Sequence, residues 1–217
     1  MKHMKKLVIF DLDGTLMNTK PGIVAGLGYA IEKAGLPLPD DATFDTFIGP
    51  PLESSFERVY GIPNEQMQEI IRTYRKRYLE GDIYNSIPYD GIFDLMAELK
   101  KRGIDMAVAT YKLESMARDL LSRFHFTDYI SCIFGKDKNN TLTKSDIIRK
   151  GIAESGHTPE ETVMIGDSHY DAVGAEEAGV DFIGVLYGFG FKTAEDVNEY
   201  KNIGVSETAM GVLPYLT

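Results

Sequence analysis

Residues 7–15 read Leu-Val-Ile-Phe-Asp-Leu-Asp-Gly-Thr, an apolar run that ends in two carboxylates spaced two apart, followed by a turn. Side chains two apart on an extended segment point the same way, so Asp11 and Asp13 are expected to face one site together. Like charges held that close repel. They persist where a cation or a bound proton offsets the repulsion, as at a metal or acid–base site. Asp, Gly and Thr are also ordinary turn residues at a strand end. An EF-hand loop is excluded, because Gly22 stands where its bidentate Glu belongs.

Other apolar runs end in polar residues too, and ligands of an open parallel sheet bind outside the carboxyl ends of its strands. Thr110, Tyr111 and Lys112 follow Asp105–Ala109, and Gly166-Asp167-Ser168-His169-Tyr170-Asp171 follows Thr162–Ile165. Thr143-Lys144 precedes a helical pattern from Ser145 to Ser155, with Thr143 and Asp146 at capping-box spacing. Taken singly, Thr110 serves equally well as a helix N-cap, Asp167 as a cap of the next helix, and Asp171 as an exposed residue on it. Lys144 fits less easily. A cation in the first turn of a helix opposes the macrodipole by about 0.3–1 kcal/mol, so an anionic partner is expected.

Together these groups compose a phosphoryl-transfer site. The carboxylates of Asp11 and Asp167, with a backbone carbonyl, supply hard oxygen ligands for Mg²⁺. Thr110 donates to a phosphoryl oxygen, and Lys144 neutralises both the phosphate and the crowded acids. Asp11 is placed to attack phosphorus in line and form an aspartyl-phosphate. Asp13 then protonates the departing alkoxide and later takes a proton from water.

The elements that must position these residues follow from the hydrophobic pattern. Short β-type runs at Lys6–Phe10, Asp105–Ala109, Thr162–Ile165 and Phe182–Leu186, with a weaker one at Tyr129–Phe134, alternate with helical patterns. That alternation predicts right-handed crossovers and a parallel sheet covered on both faces. The stretch 19–84 breaks the rhythm. Pro21 opens a helix with Ile23, Leu27, Tyr29 and Ile31 as its apolar positions, stopped by Gly35. Pro50 and Pro51 open another, and Asn64 caps a third with Met67, Ile70, Ile71, Tyr74 and Tyr78 at helical spacing. The Arg72, Arg75, Lys76 and Arg77 beside them read as a solvated face. A structureless loop of that length is implausible, so the reading is a core of residues 1–18 and 85–217 with a small helical cap over 19–84. The cap leaves the chain just after Asp13, a placement suited to a lid.

A chain of 217 residues with a formal net charge of −10 argues against nucleic-acid polymers and anionic membranes as partners, since both attract basic surfaces. Cys132 is the only cysteine, which excludes an internal disulfide, suits a reducing cytoplasm, and reads as a small core residue. His3, His125, His157 and His169 lack zinc-ligand spacing. The apolar run after Met-Lys-His-Met-Lys-Lys is too short for a signal peptide, and no segment has the length of a membrane span.

The motifs Asp11-Leu12-Asp13-Gly14-Thr15, Thr110, Lys144 and Gly166-Asp167 through Asp171 resemble those of the haloacid dehalogenase superfamily, specifically its phosphatases with a helical cap. The resemblance implies an α/β, Rossmann-like doubly wound parallel sheet with an all-helical cap inserted after the first strand, and a Mg²⁺ cofactor. By that likeness Asp11 is the nucleophile and Asp13 the general acid/base. The metal is held by Asp11, Asp167 and the main-chain carbonyl of Asp13, and Asp171 supports either the metal shell or Lys144. Pro21-Gly22-Ile23, Phe47-Ile48-Gly49-Pro50-Pro51-Leu52 and Leu186-Tyr187-Gly188-Phe189-Gly190 are similar to segments of the phosphoglycolate phosphatase and 5′-nucleotidase-like branch. Two departures stand out: Tyr111 where a small polar residue is usual, and Lys144-Ser145 in place of Lys-Pro.

The expected activity is hydrolysis of small phosphate monoesters from phosphorylated metabolites, with Lys20, Arg58, Arg75 and Lys112 as candidates to reach the leaving group. A mutase of the β-phosphoglucomutase type shares the motifs. A dehalogenase needs neither the metal ligands nor the second Asp, and a non-enzymatic phospho-receiver has no use for an acid placed to protonate a leaving group.

Overall fold

The computed structural model of the chain describes residues 4–48, 52–137 and 141–216, so His3 and the expected helix start at Pro50 and Pro51 lie outside the described residues. The chain divides into two compact units, one of Met1–Asn18 with Pro88–Thr217 and one of Thr19–Ile87. Its elements begin with β1 (Leu7–Phe10), β2 (Met17–Asn18), α1 (Lys20–Lys33), α2 (Asp41–Asp45), α3 (Leu52–Tyr60), α4 (Asn64–Glu80) and β3 (Ile87–Pro88). There follow α5 (Ile92–Lys101), β4 (Asp105–Leu113), α6 (Glu114–Arg123), β5 (Cys132–Lys136) and α7 (Lys144–Ser155). The last are β6 (Thr162–Gly166), α8 (His169–Ala178), β7 (Asp181–Val185), α9 (Ala194–Asn198) and β8 (Gly204–Ser206).

In the first unit six strands form one parallel sheet in the order β5-β4-β1-β6-β7-β8. β1 lies at its centre with all four side chains fully buried, which is why it reads as an unbroken apolar run. From β1 the chain builds outward through β4 and β5, then crosses to β6 on the other side. The strand order therefore reverses between β1 and β6, where open α/β sheets bind ligands. Phe10 stands level with Val108 and Ile165, so Asp11 and Asp167 follow their strands at the end of the sheet where Thr110 lies, inside a β4 that runs past the expected Ala109 to Leu113 with a register shift against β5. α7 and α8 cover the face bearing Leu7 and Ile9, with Ile147, Ile148, Met164 and Phe182 in one cluster. β8 was not expected. Its Gly-Val-Ser is too short and too poor in branched residues to signal a strand, and it forms by pairing with β7. Cys132 is half-buried at the start of β5, packed against the same cluster.

The second unit is helical. Met67, Ile70, Ile71, Tyr74 and Tyr78 are the buried positions of α4, and Arg72, Arg75 and Lys76 are exposed. Pro63 occupies the N-cap and Asn64 is the first helical residue, one position from expectation. In α1, Leu27 and Ile31 are buried, but Tyr29 is exposed, its ring covered by the cations of Lys33 and Arg77. An aromatic ring can be shielded by cations as well as by a core. The unit runs to Ile87, past the expected 84; a short turn over Asp82–Tyr84 follows α4, and Ser86 Oγ donates to the Ile83 carbonyl at 2.7 Å. No helix among the described residues is long and apolar enough to cross a membrane.

Phe182, 1 % exposed in the cluster beneath α7 and α8, tests this packing. Phe182→Ala should lower the unfolding free energy by about 3–5 kcal/mol in denaturant titration. A change below about 1 kcal/mol would contradict the placement of the core.

Candidate active site

α7 begins behind the expected capping box. Thr143 Oγ1 accepts the Asp146 amide at 3.2 Å, and Asp146 Oδ2 accepts the Thr143 amide at 3.0 Å. This fixes the first turn and sets Lys144, 3 % exposed, inside the unit. Lys144 Nζ donates to Asp11 Oδ1 at 2.8 Å and lies 2.6 Å from Asp171 Oδ1, the second contact an ion pair without hydrogen-bond alignment. No hydrogen bond among the described residues reaches the other oxygen of Asp11. Asp171 is fully buried, not exposed on α8. Its Oδ2 accepts the amide and hydroxyl of Ser168 at 3.1 and 2.7 Å, so Ser168, not Asp167, caps α8.

Asp167 is held by neutral donors. Its Oδ2 accepts the amides of Phe189 and Gly190 at 2.7 and 3.0 Å, and its Oδ1 accepts the Thr15 hydroxyl at 3.2 Å. A Cβ at Gly188 would collide with the Asp167 carboxylate and with the Gly14 carbonyl, so this loop closes on the acid as only glycine permits. Thr110, 1 % exposed, is not a helix cap, since α6 starts at Glu114 behind Leu113. Its Oγ1 accepts the Lys112 amide at 3.1 Å, which leaves the hydroxyl proton to donate elsewhere. Asp13 is 27 % exposed at its side chain and pairs with Lys112, whose Nζ lies 3.0 and 3.2 Å from the two carboxylate oxygens. The two acids of the first motif are thus compensated by two different lysines.

Burial pushes Asp11 up to about 7, against the pull of Lys144 and with added repulsion from Asp171 and Asp167. Burial also pushes Asp167 up to about 6, with Asp171 adding and its amide and hydroxyl donors opposing. For Lys144 burial works against the charge, but Asp11 and Asp171 outweigh it and hold the ammonium above the ordinary lysine range. Asp11, Asp167 and Asp171 each offer an oxygen, all within 4.8 Å of one another. That all-oxygen set carries more negative charge than Lys144 offsets, and it fits a hard divalent cation such as Mg²⁺. The side chain of Asp13 is not in this group.

The contacts missed in the sequence are those of Thr15, Lys112 as the partner of Asp13, and the amides of Phe189 and Gly190. One readable signal was Gly174 in the middle of α8, where Gly is about 1 kcal/mol worse than Ala. A Cβ there would fall 2.6 Å from Lys144 Cγ, so the glycine makes room for the lysine.

A family model described as haloacid dehalogenase-like hydrolase matches residues 8–185. A 5′-nucleotidase of Pseudomonas aeruginosa is 37% identical over 184 residues, spanning 84% of this chain and 83% of that protein. The tyrosine-protein kinase PtkA of Mycobacterium tuberculosis is 36% identical over 187 residues, 85% of this chain and 63% of that protein. A phosphoglycolate phosphatase of Aquifex aeolicus is 28% identical over 187 residues, 85% of this chain and 86% of that protein. Among solved structures, a haloacid dehalogenase-like family hydrolase from Streptococcus pneumoniae superposes with a TM-score of 0.89 at 30% identity, covering 99% of each chain.

The buried acids set a pH dependence. Asp11 and Asp167 titrate above their ordinary 3.8 when folded, so the folded state holds more protons than the unfolded state from about pH 4 to about 7. Their contribution to stability is therefore full at low pH and declines as pH rises through that interval. In chelator, the thermal midpoint should fall between about pH 5 and about pH 7.5, and Asp167→Asn should flatten the slope. A midpoint that rises over this interval, or an unchanged slope in the variant, would contradict the burial of these charges.

Proposed function

The chain belongs to the haloacid dehalogenase-like hydrolases, and on that premise we propose that it is a Mg²⁺-dependent phosphatase that hydrolyses small phosphate monoesters through an aspartyl-phosphate on Asp11. The substrate class is that of phosphoglycolate or nucleoside 5′-monophosphates, after relatives of those names. One observation carries the reading: Asp11 is fixed by Lys144 through one oxygen, and no hydrogen bond among the described residues engages the other, while the buried Thr110 keeps a hydroxyl proton to donate.

Asp11 attacks phosphorus with its free oxygen, the bond from phosphorus to the ester oxygen breaks, and Asp13 gives its proton to the leaving alkoxide. Water then loses a proton to Asp13 and attacks the phosphoryl group, which restores Asp11 and releases inorganic phosphate. Thr110 and Lys144 stabilise charge on the phosphoryl oxygens throughout. Mg²⁺, held by Asp11, Asp167 and the Asp13 main-chain carbonyl, would neutralise phosphate charge and orient the ester. Lys112 holds Asp13 by both carboxylate oxygens, so this contact must loosen when Asp13 takes or gives a proton. The helical unit is inserted in the chain after the first motif, and choice of the leaving group is the role we assign to it.

The test is release of inorganic phosphate with Mg²⁺ from p-nitrophenyl phosphate and from a panel of phosphoglycolate, nucleoside monophosphates and hexose phosphates. Asp11→Asn should lower turnover by about 10³-fold or more with the fold intact, and full activity in that variant would falsify the covalent route. Thr110→Ala should lower the rate by about 10²–10³ through loss of one donor; parental kinetics would remove Thr110 from the phosphate site. A sugar phosphate returned as an isomer, without phosphate release, would assign a mutase instead.

A further inference from the structure

Lys136 ends β5, opposite Leu113 of β4, in a chain of net charge −10. It makes no ion pair or hydrogen bond with a described residue, and its one close polar contact is an aromatic ring: Nζ lies 4.3 Å from the centroid of Tyr111. Its neighbour Asp137 is turned elsewhere, accepting the amide and hydroxyl of Thr141 at 2.9 and 3.0 Å. Partial burial pushes the Lys136 ammonium below the ordinary lysine range. A cation–π contact returns less than a charge-assisted hydrogen bond to an anion offers a partly buried ammonium.

The ring that carries this cation belongs to the site. Tyr111 directly follows Thr110, and its hydroxyl accepts the Lys144 amide at 3.0 Å. Lys144 Nζ lies 5.5 Å from the same ring centroid. Tyr170 meets Tyr111 edge-on at 5.6 Å, and the His169 ring lies 3.9 Å from Tyr170, which holds the wall in place from the start of α8. One aromatic ring thus lies near the ammonium that binds Asp11 and near a second ammonium that has no counter-charge among the described residues.

We propose that Lys136, on the wall formed by Tyr111, is a subsite for a second anionic group carried by the leaving group, so that preferred esters bear a carboxylate or a second phosphate besides the phosphoryl group transferred. This rests on the phosphatase reading above. Lys136 would then act on affinity and on the choice among esters, not on the bond-breaking step.

Binding in the Asp11→Asn background separates this subsite from turnover. Calorimetry with Mg²⁺ on the full chain compares 2-phosphoglycolate with ethyl phosphate, and propanediol bisphosphate with propyl phosphate. The ester with a second anion should bind at least about tenfold more tightly in one pair or both, as one hydrogen-bonded charge implies. The pair that responds identifies carboxylate or phosphate as the group recognised. Adding Lys136→Gln should bring the affinity ratio close to unity, and Lys136→Arg should retain it. Equal affinities within both pairs, a ratio unmoved by Lys136→Gln, or a ratio lost equally in Lys136→Arg would overturn the proposal. Absence of phosphate release from every ester by the unmodified chain would instead overturn the phosphatase reading, and the affinity ratios are read independently of it.

Discussion

The ammonium of Lys144 sits between the carboxylates of Asp11 and Asp171, and the neighbouring structure is arranged so that this contact can exist. Three acids buried within 4.8 Å of one another would take up protons if no cation stood among them. Lys144 supplies the cation from the first turn of a helix, where the macrodipole opposes it. Its position is therefore secured from several sides: by the Thr143–Asp146 capping box, by the Tyr111 hydroxyl on its amide, and by the clearance at Gly174 along its stem. Asp167 has no lysine of its own and is satisfied by amides and a hydroxyl. The cluster keeps an excess of negative charge, which is the condition for a hard divalent cation to bind.

The sheet delivers these groups to one place by register. β1 is paired on both sides, with β4 and β6, so Asp11 and Asp167 at two strand ends stand at the same end of the sheet as Thr110, inside β4 at its register shift against β5. The helices that follow bring Lys144 and Asp171 to the same edge from their first turns. A sheet with capped helix starts fixes the geometry of charged side chains, as oriented catalysis requires. The chain leaves this frame after the first motif to build its helical unit.

Much of this was legible in the residues because local rules governed it. Val- and Ile-rich runs fixed the parallel strands, Thr143 and Asp146 announced the cap of α7, and the anionic partner expected for Lys144 is present twice. The burial of Asp171 was not legible: the same capping-box spacing leaves the Asp146 side chain partly exposed on α7, and only the ion pair with Lys144 draws Asp171 inward. What stayed hidden depends on contacts distant in sequence. Lys112 and Asp13 are 99 residues apart, and nothing local marks them as partners. The loop Gly188-Phe189-Gly190 shows glycines, but not that its amides end on Asp167. Tyr29 followed the helical period and still lies outside the core, because cations from Lys33 and Arg77 shield its ring.

Lys144 leaves this acid cluster one divalent cation short of balance. Crystals of the full chain grown with Mn²⁺, measured at the manganese edge, test it most directly. The account predicts a single strong anomalous peak within coordination distance of both Asp11 and Asp167, with Lys144 still bound to Asp11 and Asp171. No peak between those carboxylates at millimolar Mn²⁺, or an ion bound only after Lys144 has left Asp11, would contradict it.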